Sequence, residues 1–380
     1  MRVLVIGPRR GIREVLRAER IPYVVWAARA HRDARAERVV VSPFADDPEV
    51  ARSRIRDLFG GEDFTHVLAG TEAAVVPAAV ARRVVGARSS PTSVILRCHD
   101  KLLMKSWLAQ RGVPMTAFLD AAAAGPGRRV AETLGLPVVT KLRTASGGRD
   151  QTLLADVAAI DAAPRAGRLF ERWVEAPEIS VESFVHDGVV RFENVTEYVR
   201  KGHVNLVPAG LSPEILEEAL RLSRAALSAL SIRWGMTHLE LYVTRDGLLF
   251  GEVALRPPGG YIMDLLRLAY GFDPWRAFVD VELGRAPECA AAPGGCAAAL
   301  VLHPGPGTLK RIDGVEDVSA WPEVARLRVR ARPGDLVRRR SAVGEDVGHV
   351  LVRTPDRPTT LAALDRVERR LHFEMRDASP

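Results

Sequence analysis

The stretch that decides the fold runs from Thr237 to Gly260 and reads THLELYVTRDGLLFGEVALRPPGG. Its first residues alternate, which puts His238, Glu240 and Tyr242 on one face of a strand. Arg245-Asp246-Gly247 then predicts a three-residue hairpin loop, with Gly where a positive φ is wanted. Pairing symmetrically about Asp246 sets Thr244 opposite Leu248, Tyr242 opposite Phe250 and Glu240 opposite Glu252. Directly opposed residues have Cβ atoms roughly 4.5–5.5 Å apart, and like charges there destabilise a sheet. Two readings are open at this point. A hard cation between the carboxylates turns the repulsion into a binding site. A one-residue register slip sends the acids to opposite faces and leaves none.

Around this hairpin the chain divides into three parts. Residues 1–95 alternate strand runs (RVLVIG, PYVVWAA, RVVVSP, THVLAG) with helical patterns near 11–20, 48–59 and 72–85, as a parallel sheet with helices on its faces requires. Gly7 and Gly11 follow the first strand without a full GxGxxG, so they read as a turn that serves the fold and not a phosphate cradle. Residues 96–290 form a central part. There HDKLLMKSWLAQRGVP (99–114) predicts a helix stopped at Gly-Val-Pro, and GLPVVTKL (135–142) a buried strand. RTASGGRD (143–150) is a loop of small residues, 168–185 holds two strands around Glu-Ala-Pro, and about 213–231 is a helix. From about 291, CAAALVLHP, ARLRVRA and GHVLVRT read as strands and 360–371 as a charged helix, a small α+β unit.

Composition narrows the function. With 47% hydrophobic and 27% charged residues among 380, the chain has the make-up of an ordinary soluble globular protein. The first residues read as strand, turn and amphipathic helix, without the apolar core of a secretory leader. No apolar run approaches the ~20 residues that span a bilayer. Cys98, Cys289 and Cys296 form no CxxC pair and read as small buried apolar residues. A cytoplasmic enzyme is the expectation. The formal charge of +7 comes from arginines scattered through every segment, which argues against a nucleic-acid surface. Only five of the 54 basic residues are lysines (Lys101, Lys105, Lys141, Lys201 and Lys310). In such a chain a lysine is a candidate for work that needs a compact ammonium.

The order Lys101, Lys141 with its Gly-rich loop, Glu171 to Glu178, Glu240, then Glu252 and Arg256 resembles the ATP-grasp superfamily. The resemblance covers nearly the whole chain. Residues 1–95 look like the family's N-terminal α/β domain, 96–290 like the ATP-grasp domain with a lid at about 130–175, and 291–380 like the small C-terminal domain. That arrangement is shared by biotin carboxylase, carboxyaminoimidazole ribonucleotide synthase and L-amino-acid ligases.

The resemblance implies roles residue by residue. Lys101 reaches nucleotide phosphates, and Lys141 meets the α-phosphate at the end of an apolar strand, where a bare ammonium is costly without an anion. Thr144-Ala145-Ser146-Gly147-Gly148 matches the loop whose backbone N–H groups close over the phosphates, Ser146, Gly147 and Gly148 foremost. Glu171 and the Val174 backbone would face the adenine edge, and Glu178 the ribose. Glu240 and Glu252 match the acids that bear Mg²⁺ (or Mn²⁺), and Arg256 matches the arginine on the substrate carboxylate or acyl-phosphate. Gly259 and Gly260 let backbone approach a small carboxylated substrate. His238, Tyr261 and the 195–210 segment are expected pocket walls.

Two departures matter. Many relatives read Glu-x-Asn-x-Arg where this chain has Glu252-Val253-Ala254-Leu255-Arg256, so one metal ligand is replaced by Ala254. The Pro-Pro-Gly-Gly-Tyr-Ile that follows is closer to amino-acid and dipeptide ligases than to the carboxylating branches. The expectation is therefore a carboxylate–amine ligase acting through an acyl-phosphate, with ATP and Mg²⁺ and small-molecule acid and amine partners. A bicarbonate-using carboxylation enzyme and a non-catalytic nucleotide-binding protein are the alternatives. Nucleic acid and membrane are not expected partners, and a homodimer is compatible with the resemblance, since dimers are common in the superfamily.

Overall fold

The computed structural model describes residues 1–148, 150–340 and 345–376. The N-terminal part is a parallel sheet in the order Arg38–Val41, Tyr23–Ala27, Val3–Ile6, His66–Ala69. Both of its faces are covered, which explains the unbroken apolar runs. Leu4, Ile6, Val24 and Trp26 share a core with helices Pro48–Phe59 and Val75–Val84, whereas Val3, Val5, Tyr23 and Val25 share one with helix Arg10–Ala18.

The strand order reverses between Val3–Ile6 and His66–Ala69. Open α/β sheets bind ligands beyond the carboxyl ends of their strands at such a switch point. Gly7-Pro8-Arg9 leave one of these strands and Gly70-Thr71-Glu72 leave the other. The two exits touch. A Cβ placed on Gly70 would lie 2.1 Å from the Gly7 carbonyl oxygen. Gly70→Ala is therefore expected to cost about 1–3 kcal/mol as overpacking. An unchanged urea midpoint would mean that the loops part freely.

The central part is built on eight antiparallel strands in the order Gly247–Ala254, Trp234–Thr244, Glu178–His186, Val189–Arg200, Val204–Val207, Cys296–Leu302, Gly348–Thr354, Val324–Val329. This sheet runs through position 291: Val204–Val207 pairs with Cys296–Leu302, so the C-terminal unit shares its hydrogen bonds with the centre. A second sheet, ordered Leu336–Val337, Gly307–Asp313, His372–Arg376, closes that unit beside helix Arg357–Arg370. Within residues 118–172 a separate sheet forms, ordered Phe118–Asp120, Arg168–Arg172, Val138–Leu142, Thr152–Leu154.

One face of the large sheet is dry. Ile179, Val181, Leu239 and Leu241 pack under helix Pro213–Ala229, through Ala219, Leu222, Ala226 and Leu227. The even-numbered residues between them point the other way, as period-two alternation demands. The run at 99–114 begins with a break: Asp100 ends helix Thr92–His99 and caps helix Lys101–Ala109 by accepting from the N–H groups of Leu102 and Leu103.

The hairpin differs from expectation at its tip. Thr244 faces Gly247 across a two-residue turn, so Tyr242 meets Leu249 and Leu241 meets Phe250. The expected partners of Thr244 and Tyr242 are thus displaced by one. The register then shifts between Glu240 and Leu241, Gly251 is left unpaired, and Glu240 faces Glu252 after all. Two-residue turns suit the twist of paired strands, and a bulge absorbs the surplus residue. Gly247 has φ 114°, the positive value the turn needs. A Cβ on Gly251 would approach the Glu240 carbonyl oxygen to 3.0 Å.

Candidate active site

Three strands lay the site out in rows. Glu182 pairs with His238 and His238 with Ala254, Ser180 pairs with Glu240 and Glu240 with Glu252, and Glu178 pairs with Tyr242. On the far side Asn194 and Thr196 continue the rows from Glu182 and Ser180. Glu182 is fully buried and satisfied by polar neighbours: it accepts from Ser180 Oγ at 2.6 Å, Asn194 Nδ2 at 3.0 Å and Thr196 Oγ1 at 2.5 Å. His238 Nδ1 lies 2.9 Å from Glu182, and its Nε2 lies 3.4 Å from Glu240. Burial alone would discharge His238, but the two carboxylates outweigh it and lift its pKa to about 9. Burial likewise pushes Glu240 up, and the hydrogen bond and charge of His238 pull it well below the usual carboxylate range. Tyr198, within the segment expected to wall the pocket, donates its hydroxyl to Glu240 at 3.4 Å.

Lysines meet this acidic face from the neighbouring elements. Lys101, the first residue of its helix, places Nζ 3.3 Å from Glu252 and donates to the Ala145 carbonyl of the Gly-rich loop. Its own N–H donates to the Arg143 carbonyl at 2.9 Å, and Arg143 grips Asp100 with Nε and Nη2, so loop and helix start are tied together. Gly147 and Gly148 both have left-handed backbone, with φ 72° and 74°. The loop's Arg149 lies outside the described residues.

Val139 pairs with Glu171, so Lys141, two residues on, shares the face from which Glu171 projects. Lys141 Nζ lies 2.8 Å from Glu171 Oε2, and Lys105 Nζ lies 2.7 Å from Oε1. The anion that meets the Lys141 ammonium is therefore Glu171. Glu171 is 1% exposed and also accepts from Thr116 Oγ1. Burial pushes its carboxyl up, but the two ammonium groups win and hold it at about 2. The lysines respond differently. At Lys105 burial dominates and lowers the pKa, with Lys141 adding repulsion, whereas at Lys141 the charges of Glu171, Tyr242 and Glu252 overcome burial and raise it. The carboxylate that the family resemblance aims at adenine thus faces inward here. Val174 follows on the loop between Arg168–Arg172 and Glu178–His186, and Glu178 is bound by Lys201.

Arg256 sits at the junction with the N-terminal sheet. Its Nε lies 2.8 Å from Glu72 Oε2 at the switch point, and the other Glu72 oxygen lies 2.8 Å from His99 Nδ1. Beyond it, Gly260 has φ 58° and its carbonyl accepts from Asn205 Nδ2 at 2.8 Å. A Cβ on Gly260 would lie 2.3 Å from that nitrogen, so the close approach needs glycine. Tyr261, with φ 64°, stacks on His349 at 4.1 Å and starts helix Ile262–Tyr270. Gly259 precedes this turn, and its carbonyl accepts from the Ile262 N–H at 3.1 Å.

The donor set suits a hard divalent cation. Two carboxylates are directly opposed on one face, each side chain about one-third exposed (31% for Glu240, 28% for Glu252). Among the described residues no three His, Cys, Asp or Glu side chains are grouped to hold a metal unaided. Mg²⁺ accepts that arrangement, because it commonly takes one or two carboxylates and completes its shell with phosphate oxygens and water. Ala254, opposite His238, adds no oxygen donor.

Sequence reading gave no role to Glu72, His99 or Glu182, and marked Lys105 only as one of the few lysines. Nothing local marked the others, since Glu72 meets Arg256 across 184 positions.

Residues 106–264 match the ATP-grasp domain family, and residues 300–376 match L-amino acid ligase C-terminal domain 2. The chain has the ATP-grasp fold, and its central part is similar to the ATP-grasp domain that named ligases and synthetases carry. It is 22% identical over 335 residues to the L-arginine-specific L-amino acid ligase of Bacillus subtilis, covering 83% of this chain and 81% of that one. It is 29% identical over 290 residues to protein y4rH of Sinorhizobium fredii, covering 72% of this chain but only 60% of that relative's length. The crystal structure of an L-amino acid ligase from Bacillus licheniformis superposes with a TM-score of 0.83 over 99% of both chains, at 21% identity. Among the described residues no helix is long and apolar enough to cross a membrane.

Proposed function

We propose that the protein joins a small carboxylic acid to an amine, most simply two amino acids, at the expense of ATP. The observation that carries this reading is the pair Glu240 and Glu252 facing each other beside Lys101, within reach of the Lys141 charge. Acids for a cation and ammonium groups for phosphate oxygens are what phosphoryl transfer to a carboxylate needs.

In this reading a substrate carboxylate oxygen attacks the γ-phosphorus of ATP, and the bond to ADP breaks. The amine nitrogen then attacks the acyl carbon, the carbon–oxygen bond to phosphate breaks, and a proton is released with the amide. Lys101 and Lys141 hold phosphate charge, with Ser146, Gly147 and Gly148 closing from above. Arg256, whose Nε and Nη1 are held by Glu72 and the Pro257 carbonyl, orients the carboxylate through Nη2. Mg²⁺ or Mn²⁺ held by Glu240 and Glu252 would neutralise the phosphates. Glu178 and the Val174 backbone serve the nucleoside. Positioning and charge neutralisation suffice, so the buried Cys98 and Cys296 need no chemical role.

A phosphate-release screen of L-amino acids, singly and in pairs, with ATP and Mg²⁺ tests this. At least one pair is expected to stimulate ADP formation and give a dipeptide. Stimulation by bicarbonate alone would favour carboxylation, and no stimulation by any amino acid would end the amino-acid reading.

A further inference from the structure

Arg9 has no task in the reaction so far, yet it stands at its edge. It leaves the first strand at the switch point, and its Nη1 donates to the carbonyls of Pro257 at 3.3 Å and Pro258 at 2.8 Å. Arg256 Nη1 donates to the same Pro257 oxygen at 3.0 Å. Two guanidinium groups therefore converge on one carbonyl. Like charges so close repel unless anions separate them. Arg256 has Glu72. Arg9 has no carboxylate within ion-pair distance among the described residues; Asp264, whose charge it feels, is already paired with Arg326 at 2.7 Å.

The Arg9 side chain is nevertheless built in. Its guanidinium lies over the Trp275 ring at 4.8 Å, and helix Arg10–Ala18 follows directly. Gly11 gives Trp275 its place, since a Cβ there would lie 2.2 Å from the indole. Burial and the Arg256 charge together pull Arg9 down to about 10. Only Nη1 has protein acceptors among the described residues. The Nε–Nη2 edge, the fork that takes a carboxylate with two parallel hydrogen bonds, is unmatched.

We propose that this edge of Arg9 binds the free carboxylate of the amine-bearing substrate, making the enzyme select amino acids over amines that lack a carboxylate. The proposal rests on the ligase reading. Arg256 holds the acid being activated, and Arg9 adjoins it. An α-carboxylate anchored on Arg9 keeps its own α-amine two bonds away, beside the acyl carbon it must attack.

The test compares an amino acid that stimulates ADP release with its C-terminal amide, in the wild type, Arg9→Gln and Arg9→Lys. Arg9→Gln is expected to raise KM for the acid roughly 10–100-fold, as loss of a charged bidentate contact does, with kcat within about threefold. The preference for acid over amide should collapse with it, and Arg9→Lys should keep part of that preference. Equal losses for acid and amide, or an unchanged KM, would overturn the proposal, because a mere tie to the Pro257 and Pro258 carbonyls gives those results. If no amino acid supports turnover, the ligase reading has failed separately. Arg9 is then judged by phenylglyoxal modification, read by peptide mass mapping. Protection by N-acetylglycine but not by N-acetylglycinamide supports a carboxylate site there, and protection by neither overturns it.

Discussion

Glu252→Gln is expected to lower amine-dependent ADP release by roughly 10²–10³-fold, the usual loss when one electrostatic group of a transition-state site is removed. The side chain is 28% exposed, and its ion-pair partner is Lys101 at 3.3 Å. Glutamine keeps its shape and the Gly251 bulge beside it, so the melting temperature should hardly move. What changes is one full negative charge where a cation and the phosphates it carries are to be held. Lys101 also loses its carboxylate, although it keeps the Ala145 carbonyl. Steady-state phosphate release alongside thermal unfolding separates the outcomes. Wild-type turnover in the variant would remove Glu252 from the reaction, and a collapsed melting temperature would make it a folding residue.

The second large effect is on stability. Glu171→Gln is expected to cost about 3–5 kcal/mol, because it leaves the Lys105 ammonium buried without its counter-charge. Lys105 is 1% exposed and has Thr116 Oγ1 at 3.2 Å as its remaining polar neighbour. Urea unfolding at neutral pH measures the loss, and adding Lys105→Met should return part of it by removing the stranded charge. The pH dependence has a definite sign. Glu171 titrates at about 2 in the fold, below its ordinary 4.5. Its contribution is thus fully present above about 4.5 and is lost as pH falls toward 2. The Gln variant should lack that portion of the acid slope. A loss below about 1 kcal/mol would show that Lys105 finds other partners.

These two residues illustrate what the sequence could and could not disclose. The face of Glu240 was legible because alternation is local, but Glu252 shares that face only through the Gly251 bulge, which no local pattern marks. The sheet classes were legible because apolar patterning along a strand is local as well. Residues 1–95 carry apolar runs that only a two-sided parallel sheet explains, whereas Glu178–His186 and Trp234–Thr244 keep one dry face and one polar one. The Glu171 environment was not legible. Lys105, Thr116, Lys141 and Glu171 lie on four separate segments and meet only after the 118–172 sheet folds onto helix Lys101–Ala109. Glu72 and Arg9 were hidden likewise, since a switch point is a property of strand order. Position 291 looked like a boundary because the composition changes there. Backbone pairing does not follow composition, and the large sheet continues past it.

The bulge at Gly251 carries a consequence for how this hairpin can vary. Eleven residues separate Glu240 from Glu252, an odd number. A regular ladder with a two-residue turn needs an even one, and the bulge supplies the difference. The acids therefore face each other because one unpaired residue lies inside the ladder, between them and the turn. A residue added in the turn is taken up as a longer loop and leaves the encounter intact, whereas drawing Gly251 into the regular ladder opposite Glu240, with the turn kept, sends Glu252 to the far side of the sheet, under helix Pro213–Ala229. The length of the tip is free to vary, and the unpaired state of the residue at the bulge is not.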